Sequence, residues 1–179
     1  MKQFLTTFLV IGMLFPAMTG FGRQQTDGLY LSLSDYLGHH LYGSGSIKLH
    51  TRKAYLSVQS DAATQHVSRD SVFAVALTAG KTFRLIGHDY YEILNRNAQL
   101  LLYKRKVMSS GKAFPADTFR YYFSAGDGPV HELTSWNLKQ AFPERASWAD
   151  KLDTNFHQES DLIAYDSYHH MYKLEWLLQ

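Results

Sequence analysis

VFAVALTAGKTFRLIGHDYYEILNRNAQLLLYKRKV, residues 72–107, is the stretch whose reading decides the fold. Val72 to Thr78 is apolar and β-branched, which suits a central strand. Ala79-Gly80-Lys81 makes a tight turn and Thr82-Phe83-Arg84-Leu85-Ile86 returns. Gly87-His88-Asp89 turns again before the next strand, Tyr90 to Leu94. Asn95-Arg96-Asn97 is a further turn, since asparagine tolerates left-handed backbone angles, and Leu100 to Val107 follows as a strand. Turns at this close spacing are the mark of all-antiparallel β structure.

The pattern extends in both directions. Downstream, residues 108–118 have no period and form one long loop. Phe119 to Ser124 resumes strand character, Gly126-Asp127-Gly128 turns, and Val130 to Leu133 pairs back. Upstream, Ile47 and Leu49 alternate with Lys48 and His50, and Tyr55, Ser57 and Gln59 alternate with Leu56 and Val58. These are two arms of a half-buried antiparallel pair. Gly28 to Ser32 is a short strand, Ser34-Asp35 opens a turn of helix, and Gly38 stops it. His39 to Ser46, with Gly43-Ser44-Gly45-Ser46, reads as a loop.

Beyond Leu133 the character changes. Thr134 caps a helix over Trp136 to Phe142, which Pro143 prevents from continuing. Glu144 to Leu152 is a second short helix. Asp166 or Ser167 caps a final helix over Tyr168 to Leu178, although Tyr172, Leu174, Trp176 and Leu178 also alternate at strand period. The predicted class is α+β: an antiparallel β-meander sheet or partial barrel of about eight short strands, closed by short C-terminal helices.

The first residues carry a different message. Lys2 precedes an apolar run from Phe4 to Phe15, then Pro16 breaks it and Ala17, Thr19, Gly20 and Gly22 follow. Charge, short apolar core, helix breaker and small residues in that order spell an export signal. The run is shorter than the roughly 20 residues a membrane-spanning helix needs. The expected division is a signal peptide over residues 1–22, cleaved after Thr19 or Gly22, and one globular domain over 23–179. The expected location is the periplasm or the cell exterior, with no integral membrane segment after cleavage.

The chain holds 18 basic and 16 acidic side chains, of which Lys2 alone lies in the signal, so the mature domain is close to neutral. Nucleic-acid binding needs clustered positive charge and is excluded as an expectation. Zero cysteines rule out disulfides, a lipidated cysteine anchor and cysteine nucleophiles. The core must therefore hold the fold, and twelve tyrosines, eleven phenylalanines and three tryptophans supply much of its bulk. Trp136, Trp148 and Trp176 are expected to pack the helices on the sheet.

Gly28-Leu29-Tyr30 with Asp35-Tyr36, Phe83-Arg84 before Tyr90-Tyr91-Glu92-Ile93-Leu94, and Tyr121-Tyr122-Phe123-Ser124 form a recurrent order. Leu133-Thr134 with Asn137-Leu138 and Phe142, and the ending Tyr172-Lys173-Leu174, extend it over most of the mature chain. In that order the chain resembles uncharacterised exported β-rich proteins of Bacteroidota-type bacteria. It departs from them at Phe73-Ala74-Val75, where such proteins often carry a glycine–aromatic pair. The resemblance implies export and a β-rich fold, and it brings no functional residue with it.

The motifs of chemistry are weak. His39-His40 and His169-His170 are adjacent pairs whose side chains diverge. Asp35 with His39, and Asp166 with His169 or His170, would meet at helical spacing. No H-E-x-x-H is present, and no metal or other cofactor is expected. Gly43-Ser44-Gly45-Ser46 lacks the spacing of a nucleophile elbow, and Ser109-Ser110-Gly111-Lys112 fails as a phosphate loop. Asp117, Asp127, Glu132, Asp150 and Asp153 read as turn and solvent carboxylates. The Lys104-Arg105-Lys106 run reads as a solvated strand end.

The expected function is an exported non-catalytic module that binds a protein, a glycan or an envelope component. It should display an exposed cluster of large aromatic side chains. One alternative is a β-barrel carrying a small apolar molecule, which requires an interior cavity. Another is a hydrolase using His and Asp, which requires a histidine bonded to a carboxylate in a cleft.

Overall fold

The computed structural model describes residues 27–43, 45–50, 52–60, 63–107, 118–144 and 146–178. The signal segment, Ser44, Ser109 to Lys112 and Asp117 lie outside them. Strands β1 (Gly28–Tyr30), β2 (Ser46–Lys48), β3 (Tyr55–Gln59), β4 (Thr64–Ser68), β5 (Ala74–Leu77) and β6 (Lys81–Ile86) come first. They are followed by β7 (Asp89–Ile93), β8 (Leu100–Lys106), β9 (Phe119–Ala125), β10 (His131–Glu132), β11 (Tyr165–Asp166) and β12 (Met171–Tyr172). The helices are α1 (Leu33–Leu37), α2 (Ser135–Ala141), α3 (Ala146–Asn155) and α4 (Lys173–Leu177).

The architecture is α+β. A seven-stranded antiparallel sheet runs β1-β5-β6-β7-β8-β9-β10, so β5 to β10 form an uninterrupted meander with β1 added at one edge. The sheet is open: β1 and β10 are its edges and do not pair. A second sheet, β2-β3-β4, and a hairpin, β11-β12, complete the β structure.

Register puts alternate residues of the main sheet on opposite faces. One face presents Leu29, Val75 and Leu85 to the small sheet's Ile47, Leu56 and Val58. Further along it presents Leu100, Leu102 and Phe123 to the helical region's Leu138, Trp148, Leu152, Phe156, Leu162 and Leu174. The other face gathers Tyr30, Ala74, Ala76, Ile93, Leu101 and Tyr103 with Tyr36 of α1. Leu100, Leu101, Leu102 and Tyr103 are each fully buried because β8 is covered on both sides.

Arg84 projects from β6 into that second face and is buried. Its Nη1 donates to Tyr103 Oη (2.7 Å) and Ser124 Oγ (2.9 Å), and its Nη2 to the carbonyls of Asp127 (2.6 Å) and Gly128 (3.0 Å). The guanidinium thus latches the β9–β10 turn onto the sheet.

Several sequence expectations need correction. The final segment is not one helix from Tyr168 to Leu178 but the β11-β12 hairpin followed by the short α4. Tyr172 pairs with Tyr165 and its N–H donates to the Glu175 carboxylate (3.0 Å), whereas Leu174 and Trp176, which also fitted period two, lie in α4. The first helix is capped by Ser32, whose hydroxyl accepts from Asp35 N while the Asp35 carboxylate accepts from Ser32 N. This helix ends at Leu37, and His39 turns left-handed (φ 59°), so Asp35 and His39 do not form the expected pair. Strand β4 and the 3-10 turns Arg69–Ser71 and Glu159–Ile163 had no sequence assignment.

Candidate functional site

The C-terminal hairpin and α4 build a small groove with the end of α3. Asn155, Phe156, Asp166, His169, Trp176 and Leu177, with Lys173, enclose about 230 Å³. The turn between β11 and β12 organises it. Asp166 Oδ1 accepts from the backbone N–H of Tyr168 (2.8 Å) and of His169 (3.3 Å), a local turn typical of aspartate. Its Oδ2 meets His169 Nδ1 at 2.7 Å. The bond from His169 and the two backbone N–H groups hold the Asp166 carboxyl below the usual carboxylate range. An ionised carboxylate only accepts, so Nδ1 of His169 carries the proton and Nε2 remains an acceptor in the neutral ring.

Two aromatic rings flank His169. The His169 ring lies nearly parallel to Trp176 (centroids 6.5 Å, 23°) and edge-on to Tyr168 (4.9 Å, 88°). Tyr165 and Tyr172 pack edge to face across the hairpin at 5.2 Å. Tyr168 is 85% exposed, Tyr165 54% and Trp176 53%. His170 closes the turn at φ 53°, a left-handed angle that keeps the chain tight enough to display Tyr168 and His169 together.

Of the three tryptophans, only Trp148 has the expected packing role. It is buried against Phe142 (4.9 Å, edge to face), whereas Trp136 and Trp176 are exposed. Both sit on short helices with their side chains largely in solvent, 69% and 53% exposed. Asp166 and His169 do meet, as their spacing suggested, but in a turn rather than on a helix.

A second histidine cluster lies on the small sheet. The buried Ser57 Oγ is 3.0 Å from His50 Nε2 and 3.1 Å from His66 Nδ1, and Tyr55 packs on both rings. His66 sits opposite Ser57 in the β3–β4 register, a proximity no linear motif records. Among the described residues neither His50 nor His66 is bonded to a carboxylate, and the carboxylate-oriented His169 belongs to a different sheet. The elements of a serine triad are therefore split between two places. No group of three or more metal-ligating side chains occurs among the described residues.

Two of the carboxylates singled out in the sequence, Glu132 and Asp153, have ordinary partners. Glu132 faces Arg120 at 3.8 Å and Asp153 holds Lys139 at 2.6 Å. Within the basic run, Lys104 pairs with Glu92 (3.2 Å) and Arg105 with Asp89 (2.7 Å), so its charge is largely compensated.

No family model, no curated protein and no solved structure matches this chain. No helix among the described residues is long and apolar enough to cross a membrane.

Proposed function

We propose that this chain is an exported, non-catalytic binding module whose C-terminal aromatic groove engages a glycan of the cell envelope or exterior. The observation that carries the reading is the exposed group of Tyr168, His169 and Trp176, of which His169 and Trp176 line one small groove and Tyr168 packs edge-on against His169. Large aromatic faces left in water cost free energy unless something covers them, and clusters of them mark interaction sites. At about 230 Å³ the groove suits a single ring rather than an extended chain. Asn155, Lys173 and His169 Nε2 offer donors and acceptors beside the aromatic surfaces. Such a mixture fits a sugar better than a purely apolar ligand.

The test is a glycan array probed with residues 23–179, followed by calorimetry of each hit against Trp176→Ala and Tyr168→Ala. Binding lost in both variants with an unchanged unfolding midpoint supports the reading. Equal binding by wild type and variants sinks it.

One observation favours a second reading, a hydrolase using His169 and Asp166: they form the one histidine–carboxylate contact in a groove among the described residues. That reading requires turnover of ester or glycoside substrates that disappears in His169→Ala. Retained turnover in that variant would exclude it. The barrel-carrier alternative draws no support from an open sheet whose two faces are filled by side chains.

A further inference from the structure

A second groove, remote in sequence from the aromatic one, carries an unusual charge arrangement. It encloses about 560 Å³ between the Arg69–Ser71 turn, the end of β6 and the β9–β10 turn. Its walls include two arginines, Arg69 and Arg84, that are only 4% and 7% exposed. Neither makes an ion pair among the described residues. A buried charge without a counter-charge is costly, because it has given up its hydration for no opposite charge in return.

Their neutral partners divide the work unequally. All the Nη hydrogen bonds of Arg84 go to the latch described above, so it offers the groove charge rather than a spare terminal N–H. Arg69 donates from Nε to the Gly87 carbonyl (2.8 Å) and from Nη1 to the His50 carbonyl (3.1 Å) and Tyr90 Oη (2.6 Å). Its Nη2 is buried and has no acceptor. Trp148 Nε1, inside the helical core, is the other such atom among the described residues. An orphaned guanidinium donor is a stronger sign of a missing partner, because burying it unpaired forfeits a charge-assisted bond.

The remaining walls tell what kind of molecule fits. Val72, Leu85, Ile86, Pro129 and Val130 are apolar. The exposed Asp70 and Asp127 stand on the rim, where they oppose any anion and so select against highly charged ones. We infer that this groove binds a small organic oxyanion, a single carboxylate or phosphate head on an apolar body, with the head compensating Arg69 and Arg84. The volume falls within the range of about 300–1,000 Å³ usual for small-molecule clefts. The inference is independent of the glycan reading, since it uses other residues and another face.

The experiment is calorimetric titration of the mature protein with decanoate, decyl phosphate and the neutral decanol, each below its micelle concentration. Decanoate or decyl phosphate should bind, whichever is tighter naming the head group, with decanol weaker by about tenfold or more. Asp127→Asn, which removes an exposed rim carboxylate, should tighten binding of the anion. Arg69→Gln should weaken it by about tenfold or more. Should Arg69→Gln fail to fold, Ile86→Glu places a negative charge at an exposed position of the same wall and should weaken binding likewise. Failure of both anions to bind, equal binding of decanol, or anion affinity unchanged by both Ile86→Glu and Asp127→Asn would overturn the inference.

Discussion

Tyr36 of α1 sits between sheet and solvent with its hydroxyl donating to the Asn95 carbonyl at 2.9 Å. Burial raises its pKa to about 12, against the opposing pull of Arg96, whose guanidinium lies 4.3 Å from the ring centre. In the unfolded chain a tyrosine ionises near pH 10, so between there and about pH 12 the unfolded state has lost the proton that the folded state keeps. Stability therefore falls as pH rises through that window. Ultraviolet titration should show a late tyrosinate component that Tyr36→Phe removes, and an unchanged titration in the variant would refute the assignment. His170 permits a second residue-scale test. Its left-handed backbone (φ 53°) costs a side-chain-bearing residue about 1–2 kcal/mol. His170→Gly should raise the unfolding free energy by about 1 kcal/mol, read as a higher denaturation midpoint at unchanged slope. A lowered midpoint would mean that the His170 side chain stabilises the turn in a way its exposure does not suggest.

Among the elements, the β9–β10 turn depends on a side chain from another strand. Arg84→Met leaves the Asp127 and Gly128 carbonyls without their donor, although Tyr103 Oη and Ser124 Oγ still lie 2.8 Å apart. The expected loss is about 3 kcal/mol in urea denaturation, and Arg84→Lys should recover only part of it, because an ammonium lacks the planar fork. A midpoint unmoved by Arg84→Met would remove the latch from the account. Elements also differ in how much of themselves they showed in sequence. The meander from β5 to β9 was legible because apolar β-branched runs alternated with Gly and Asn turns. Helix α2 was legible from Thr134, whose hydroxyl accepts from Asn137 N at 3.1 Å. Strand β4 was not, since Thr64-Gln65-His66-Val67-Ser68 is mostly polar and becomes a strand through its pairing with β3. The C-terminal hairpin was not, because its two-residue strands are too short to set a period of their own, and the alternation after Tyr172 runs on into α4.

At the level of the whole molecule, the core is spread over both sheet faces, and no disulfide supports it. The C-terminal segment is a structural part of that core: Leu174, Leu177 and Leu178 are buried with Leu100, Leu102 and Phe123. Truncation after Ala164 uncovers this cluster, and removing even one such leucine costs about 2–5 kcal/mol. The shortened chain should bind hydrophobic dyes and lose its near-ultraviolet dichroism while keeping far-ultraviolet signal. A cooperative unfolding transition in the truncated chain would show instead that the sheet and α2–α3 form a self-sufficient body.

The sequence alone determined the class of fold, the absence of disulfides, the near-neutral charge and the expectation of an export signal, since each depends on composition or on neighbours within a few residues. It also brought Asp166 and His169 into view as a pair, because they are three residues apart. Only the tertiary structure decided that Trp176 and Tyr168 stand in solvent around that pair while Trp148 is buried. Only it placed Arg69 and Arg84, 15 positions apart in the chain, on the walls of one groove, with neither in an ion pair among the described residues. Exposure and charge compensation are sums over neighbours supplied by the whole fold. No local window of sequence contains those neighbours.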